Sequence, residues 1–286
     1  MLTERTTSSG VDNVQQADQR FSLSDVYQQT NLPSLGRVLF KELKLAGPSG
    51  GIFVLDENPT KSGSLALIRG NIECYPSSPI KTEITPEAYQ DLIATYGSRP
   101  ASAHIAKMLR SKANKYENGK LIEFLGENAV DRGTLTLTDK LNAETRMFEI
   151  INKVQTCVLE ANSKTTRSFL GFAIVPYEYV SSVMATVAYQ SNGRTTAVTN
   201  ESLAADIGIT SYYVNPDPTD KTCYVGIRCS SEHDGSCYFG SYTDTVQKSV
   251  SYETGSEVYY IYDRFGFAMN PLHTKENPML FKFTIA

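Results

Sequence analysis

Apolar and polar positions follow different spacings in successive parts of this chain. Residues 1–30, from "MLTERTTSSG" to "VYQQT", carry few apolar side chains at no regular interval, so the stretch has no face to pack on its own chain. Around Pro33, Leu32, Leu35, Val38 and Leu39 fit a short helix. "GPSGG" (47–51) and "NPTKSGS" (58–64) read as turns on either side of an apolar strand beginning "IFVL". "LALIRGNIECY" (65–75) returns as a second strand. The pair predicts an extended two-stranded excursion with a polar tip.

Helical spacing takes over at "ITPEAYQDLIATYG" (84–97). Thr85 suits an N-cap, Pro86 the first helical position and Glu87 the positive end of the dipole. Ala88, Leu92 and Tyr96 repeat at steps of four, and Gly97 suits a left-handed C-terminal position. A longer helix restarts at once. Ser98 reads as its cap, and Pro100 discourages helical geometry at Arg99. Ile105, Met108, Leu109, Ala113 and Tyr116 form its stripe, which Leu121, Ile122 and Leu125 extend. Gly119 costs about 1 kcal/mol against Ala. A continuous helix over 99–127 would be roughly 40 Å long at ~1.5 Å per residue.

"DRGTLTLTD" (131–139) predicts a short strand or turn. Residues 140–163 predict a second strong helix, with Leu141, Phe148, Ile151, Val154 and Val158 on one side. "RSFLGFAIV" (167–175) reads as a buried strand, and 176–191 as a third helix opened by Pro176. From 209 the spacing is that of strands: "ITSYYVN", "KTCYVGIRC", "SCYFGSY", "VQKSVSYE" and "EVYYIYDRFGFAMN". Strands, then helices, then strands point to an α+β fold.

The chain has 286 residues, 41% hydrophobic and 20% charged, enough for a globular core in one large domain or two smaller ones. Its net charge of −4 argues against a broad basic surface for nucleic acid. No apolar run approaches the ~20 residues of a membrane span, and the polar N-terminus lacks a secretory core. Five cysteines without dense spacing suit free thiols in a reducing compartment. Trp is absent, yet 12 of the 17 tyrosines follow residue 170, which suggests sheets and large contact surfaces there.

Candidate chemistry is thin. Cys223, Cys229, His233 and Cys237 are the best metal set, but no Cys-x-x-Cys pair is present. Cys223, Val225, Ile227 and Cys229 alternate onto one strand face, so packing is the expected role. His104 falls in a helical pattern and His273 in a loop. "GPSGG" lacks the Lys and Ser/Thr of a phosphate-binding loop, and no nucleophile elbow occurs. The carboxylates of "VLDEN" and "EHDG" flank turns, where solvation is expected. "RSKANK" (110–115) lies beside the helical stripe and is expected to be exposed. The residues therefore predict no catalytic, cofactor-binding or metal-binding site and no enzyme. A long helix, a projecting two-stranded arm, a loose N-terminus and a Tyr-rich sheet predict a subunit built to touch its neighbours.

Five stretches in order carry a resemblance: "LAGPSGGIFVL" (45–55), "IKTEITPEAYQDLIATYG" (80–97), "TRSFLGFAIVPYEYVSSV" (166–183), "YYVNPDPTDKTCYVGIRCSSEHDGSCYFGSY" (212–242) and "IYDRFGFAMNPL" (261–272). Glu87, Gln90, Asp91, Leu92 and Gly97 match one motif. Arg264, Phe265, Gly266, Asn270 and Pro271 match another. Over roughly residues 32–273 the chain resembles the major capsid proteins of T-even-type tailed bacteriophages.

The resemblance implies the Hong Kong 97 capsid fold. Its parts would be an N-terminal arm (1–40), an E-loop hairpin region (41–79), a P-domain with a long spine helix (80–165), an A-domain (166–256) and a C-terminal return strand to the P-domain (257–286). It further implies self-assembly into hexamers and pentamers of an icosahedral head. Portal, vertex, scaffold and decoration proteins would be further partners, and the shell would enclose dsDNA without sequence-specific binding. The segment after "GPSGG" is too short for the T-even inserted domain. The region before residue 30 is too short for a long cleavable scaffolding segment. "YDRFG" carries Asp and Phe where that pattern has Thr and Tyr, and no Lys–Asn crosslink is expected. A vertex protein of the same fold and an encapsulin-like compartment shell are the alternatives.

Overall fold

The computed structural model describes residues 21–22, 34–55, 67–76, 80–137, 143–164, 171–179, 183, 210–228, 235–251 and 253–286. In chain order these form β1 (Phe21–Ser22), α1 (Leu35–Leu39), β2 (Lys41–Lys44), β3 (Ser49–Leu55), β4 (Leu67–Glu73), β5 (Ile80–Ile84), α2 (Pro86–Tyr96), α3 (Ser98–Asn128), β6 (Val130–Leu135), α4 (Ala143–Lys164), β7 (Gly171–Val175), β8 (Thr210–Val214), β9 (Thr222–Ile227), β10 (Cys237–Val250), β11 (Glu257–Met269) and β12 (Leu280–Ile285). Helices and strands share both cores, so the α+β expectation is met.

The break before the long helix rests on one residue. Thr85 caps α2 by accepting from the Ala88 N–H at 3.3 Å, as its position predicts. Gly97 then sits at φ 81°, ψ 163°, a region that only glycine occupies at low cost. Contrary to expectation, Ser98 is already helical, so Gly97 holds the N-cap position, and Arg99 and Pro100 both lie in the first turn of α3. Proline is tolerated there because a first-turn N–H has no helical acceptor to lose. α3 runs 31 residues, about 46 Å at ~1.5 Å each.

Two five-stranded sheets organise the core. The first has the order β1-β10-β11-β5, with β2 added parallel to β10. The segments "SCYFGSY" and "VQKSVSYE", expected as separate strands, form one strand, β10. It pairs with β11 throughout, with a register shift between Ser241 and Thr243. The polar "TDT" between them contains no Gly or Pro to turn the chain, and the local irregularity absorbs it within the sheet. The second sheet has the order β6-β12-β9-β7-β8. Residues 237–250 pair with 257–269, while 280–285 sit between 130–135 and 222–227.

Strand β7 shows why its sequence reads as an unbroken apolar run. Ala173 and Val175 face a core built with Ile150, Ile151, Val154 and Val158 of α4. Phe172 and Ile174 face the opposite way, into a core shared with Leu121, Phe124 and Leu125 of α3 and with the first sheet. There Phe239, Phe265 and Phe267 meet with ring centroids 5.6–5.9 Å apart. A third cluster packs Ile105, Leu109 and Ala113 of α3 on Ile84, Tyr259 and Ile261. Met108, expected in that stripe, is exposed. Leu141, most of the expected third helix and the tip of the excursion lie outside the described residues.

Candidate functional site: a projecting hairpin and its seat

The expected excursion is an antiparallel hairpin, β3 with β4, in register from Ser49 opposite Glu73 to Leu55 opposite Leu67. Alternation gives it two faces. Ile52, Val54 and Ile72 point inward onto Tyr238 and Ala268, flanked by Leu43, Leu45 and Leu272. Phe53 and Leu67 point outward and are 51% and 64% exposed. Phe53 lies opposite Arg69, whose guanidinium stands 5.9 Å from the ring. The outward face thus sets Phe53 and Leu67 beside the polar Arg69, Asn71 and Glu73, and among the described residues its two large apolar side chains stay exposed.

The seat of this hairpin explains the closing motif residue by residue. The chain leaving β4 crosses β11 with the Tyr75 N–H donating to the Phe265 carbonyl at 2.8 Å. A Cβ on Gly266 would stand 2.1 Å from the Glu73 carbonyl oxygen, so the crossing requires glycine. Pro271 packs where a Cβ on Gly70 would stand, 2.7 Å away. Phe265 anchors the aromatic core, and the Arg264 guanidinium lies 5.7 Å from the Tyr242 ring. Asn270, 1% exposed, donates to the Gly235 carbonyl at 2.9 Å and accepts from the Leu272 N–H at 2.9 Å.

Beside the seat, a buried ion cluster fastens the segment that enters the body from the N-terminal side. Glu117 on α3 pairs with Arg37 of α1 at 3.2 Å and with Arg110, one face-repeat earlier on α3, at 3.2 Å. Arg37 also reaches Asp263 on β11 at 3.6 Å and Glu42 on β2 at 3.1 Å, and it stacks 4.7 Å over Phe239. Ser34 donates to Glu117, and the Leu35 N–H to Asn118 at 2.8 Å. Burial alone would raise the Glu117 pKa. Arg37, Arg110 and the side-chain hydrogen bonding with Asp263 and Ser34 outweigh it, and the carboxyl sits below its ordinary value. Residues 34–40, expected to belong to a loose arm, are thus anchored, with Leu39 and Phe40 in the core.

Sequence reasoning missed this cluster and placed Arg110 on an exposed face, where the structure buries it. The readable signal was position: Arg110, Ala113, Glu117 and Leu121 follow one helical track, so two charges stand in an apolar stripe. The two described metal candidates, Cys223 and Cys237, lie in different cores. Cys223 points into the α4 core with Val225 and Ile227, as alternation predicts, and Cys237 into the aromatic core. Burial raises both thiols well above their ordinary range, which disfavours the thiolate a metal needs. Cys229, His233 and the "EHDG" carboxylates lie outside the described residues. Among the described residues no three His, Cys, Asp or Glu side chains group as metal ligands, and no helix is long and apolar enough to cross a membrane.

Comparison with solved structures places this architecture. A virus-like particle from Pyrococcus furiosus matches at 14% identity over 91% of this chain and 95% of its own, with a TM-score of 0.56. A phage-related protein from Bordetella bronchiseptica matches at 11% identity over 93% and 98%, also with a TM-score of 0.56. The capsid of cyanophage P-SCSP1u matches at 7% identity over 89% and 88%, with a TM-score of 0.51. No family model matches the chain, and no curated protein matches it in sequence. The chain has the Hong Kong 97-type capsid fold, as its motifs led one to expect.

Proposed function

We propose that this chain is the major capsid protein of a tailed bacteriophage, assembling into hexamers and pentamers around packaged dsDNA. One observation carries the reading. A hairpin rigidly seated by Gly266 and Pro271 holds two large apolar side chains, Phe53 and Leu67, in solvent. Two large apolar side chains left exposed among the described residues are what a second copy would cover. In this reading α3 and the first sheet form the peripheral part, and α4 with the second sheet the axial part. The protein is structural and performs no catalysis. It would assemble in the host cytoplasm, with portal, scaffold, vertex and decoration proteins as further partners. Net charge of −4 suits a shell that contains DNA without gripping it.

Electron microscopy of the purified, concentrated protein and of virion-like particles tests this. Closed icosahedral shells, or rings of five and six, are expected. A monomer that is also absent from virions would overturn the reading. The similarity to a virus-like particle from Pyrococcus furiosus favours, as a second reading, a compartment shell that encloses protein cargo. The nucleic-acid content of purified particles separates the two, and copy number per particle separates a major subunit from a vertex subunit.

A further inference from the structure

Three chain crossings join the two sheets. α3 enters β6 through Ala129, β9 enters β10 through residues 228–236, and β11 enters β12 through residues 270–279. Hydrogen bonds tie each crossing to the next. Ser236 Oγ donates to the Met279 carbonyl at 2.6 Å and accepts from the Ile227 N–H at 2.6 Å. The Asn270 N–H donates to the Ser236 carbonyl at 2.8 Å. The Met279 N–H donates to His273 Nδ1 at 3.0 Å, and the imidazole also hydrogen-bonds the backbone of Asn128, the last residue of α3. Ser236 and Asn270 are almost fully buried, so these bonds form a shielded belt.

The belt holds with only one form of the imidazole. With Nδ1 accepting, the ring is neutral and its proton sits on Nε2, the nitrogen left to donate to the Asn128 carbonyl. A proton on Nδ1 would set two donors against each other at Met279. The serine and asparagine side chains of the belt do not titrate. The charged residues on the described surrounding elements include Glu127 on α3, Asp131 and Arg132 on β6, Arg228 just after β9, Lys282 on β12, and Lys275 and Glu276 in the loop itself, while Glu232, His233 and Asp234 of the 228–236 crossing lie outside the described residues. Arg132 is engaged by Glu160, and the Lys282 ammonium donates to the Gly126 carbonyl at 2.6 Å. What moves His273 is burial, which lowers its pKa, opposed by the Asn128 bond.

We propose that His273 is a pH-sensitive fastener of the joint between the two sheets. Neutral, it holds the 270–279 crossing to both α3 and β12. Protonated, it releases the Met279 amide, keeps its Nε2–H bond to Asn128, and loosens the 274–279 segment ahead of β12. Burial keeps the folded pKa below the ordinary 6.5, so the fastener is closed at neutral pH. Its contribution is complete above 6.5 and is lost as pH falls from there toward the lower folded value. The device belongs to the chain itself and does not depend on the shell reading.

Hydrogen-exchange mass spectrometry on the full chain at pH 7.5 and 5.0, corrected for intrinsic exchange, tests it. Peptides covering 274–281 should lose protection at the lower pH, since each pH unit below the folded pKa adds a factor of about ten to the charged form. Peptides within β9 and β10 should stay protected. The H273N variant, which keeps an acceptor and a donor but cannot titrate, should lose this dependence, and H104N should keep it. Equal protection of 274–281 at both pH values in the wild type would overturn the proposal. So would an acid response that persists in H273N, or one spread evenly over the whole chain.

Discussion

The hairpin and the segment 34–44 are both fastened to the first sheet, by opposite means. The hairpin is held by shape: inward Ile52, Val54 and Ile72, and glycines where its chain crosses β11. The segment is held by charge as well as shape, through Arg37 and its three carboxylates. A steric seat is indifferent to pH and salt but intolerant of one added methyl. An ionic pin tolerates changes of volume better than the loss of one charge, because the charges left behind stay buried. The element that projects is thereby located by shape and backbone hydrogen bonds without an ion pair among the described residues, and the element that anchors carries the electrostatic risk.

The largest effect expected from breaking this contrast is at the pin. Arg37→Met leaves Glu117 and Asp263 with Arg110 and should cost about 3–5 kcal/mol in denaturant unfolding. Adding E117Q should restore part of it, and a double variant no better than R37M would assign the loss to packing on Phe239 instead. Gly266→Ala should cost about 1–3 kcal/mol and expose the Tyr75 amide to exchange while the ion cluster stays intact. Acid titration should separate the two fastenings more finely. The depressed Glu117 pKa contributes stability above the ordinary value of 4.5 that is lost as pH falls through the folded value. E117Q should flatten that limb, whereas G266A should leave its slope unchanged. The smallest effect on the monomer is expected from F53S with L67S, within about 0.5 kcal/mol. In sedimentation the same variant should fail to form particles. Deleting residues 1–25 should likewise spare the fold and weaken assembly, because the pairing of β1 with β10 in the described structure spans only two residues.

Much of this architecture was legible where local chemistry and tertiary packing agree. Thr85, Pro86 and Gly97 marked the short helix, and the turns around "IFVL" marked the hairpin. Arg264, Phe265, Gly266, Asn270 and Pro271 carried the family motif in advance, but the need for glycine at 266 appears only once the hairpin lies across it. What failed to show was non-local. Arg110 looked solvated because its partner Glu117 is drawn into the core by Arg37 of α1, which is far away in sequence. Strand β10 looked like two strands because its continuity is set by pairing with β11 and not by its own residues. Sheet membership was hidden for the same reason: β12 joins strands that lie far earlier in the chain.

That last arrangement also bears on synthesis. β12 is an interior strand of the second sheet, paired on one side with β6 and on the other with β9. While the chain is being made, residues 130–135 and 222–227 must wait with open edges until 280–285 emerge from the ribosome. A chain stopped before residue 280 would have no strand to join them and would expose the apolar surface that Phe281 and Phe283 cover. The order of translation thus leaves the second sheet divided until the last strand arrives.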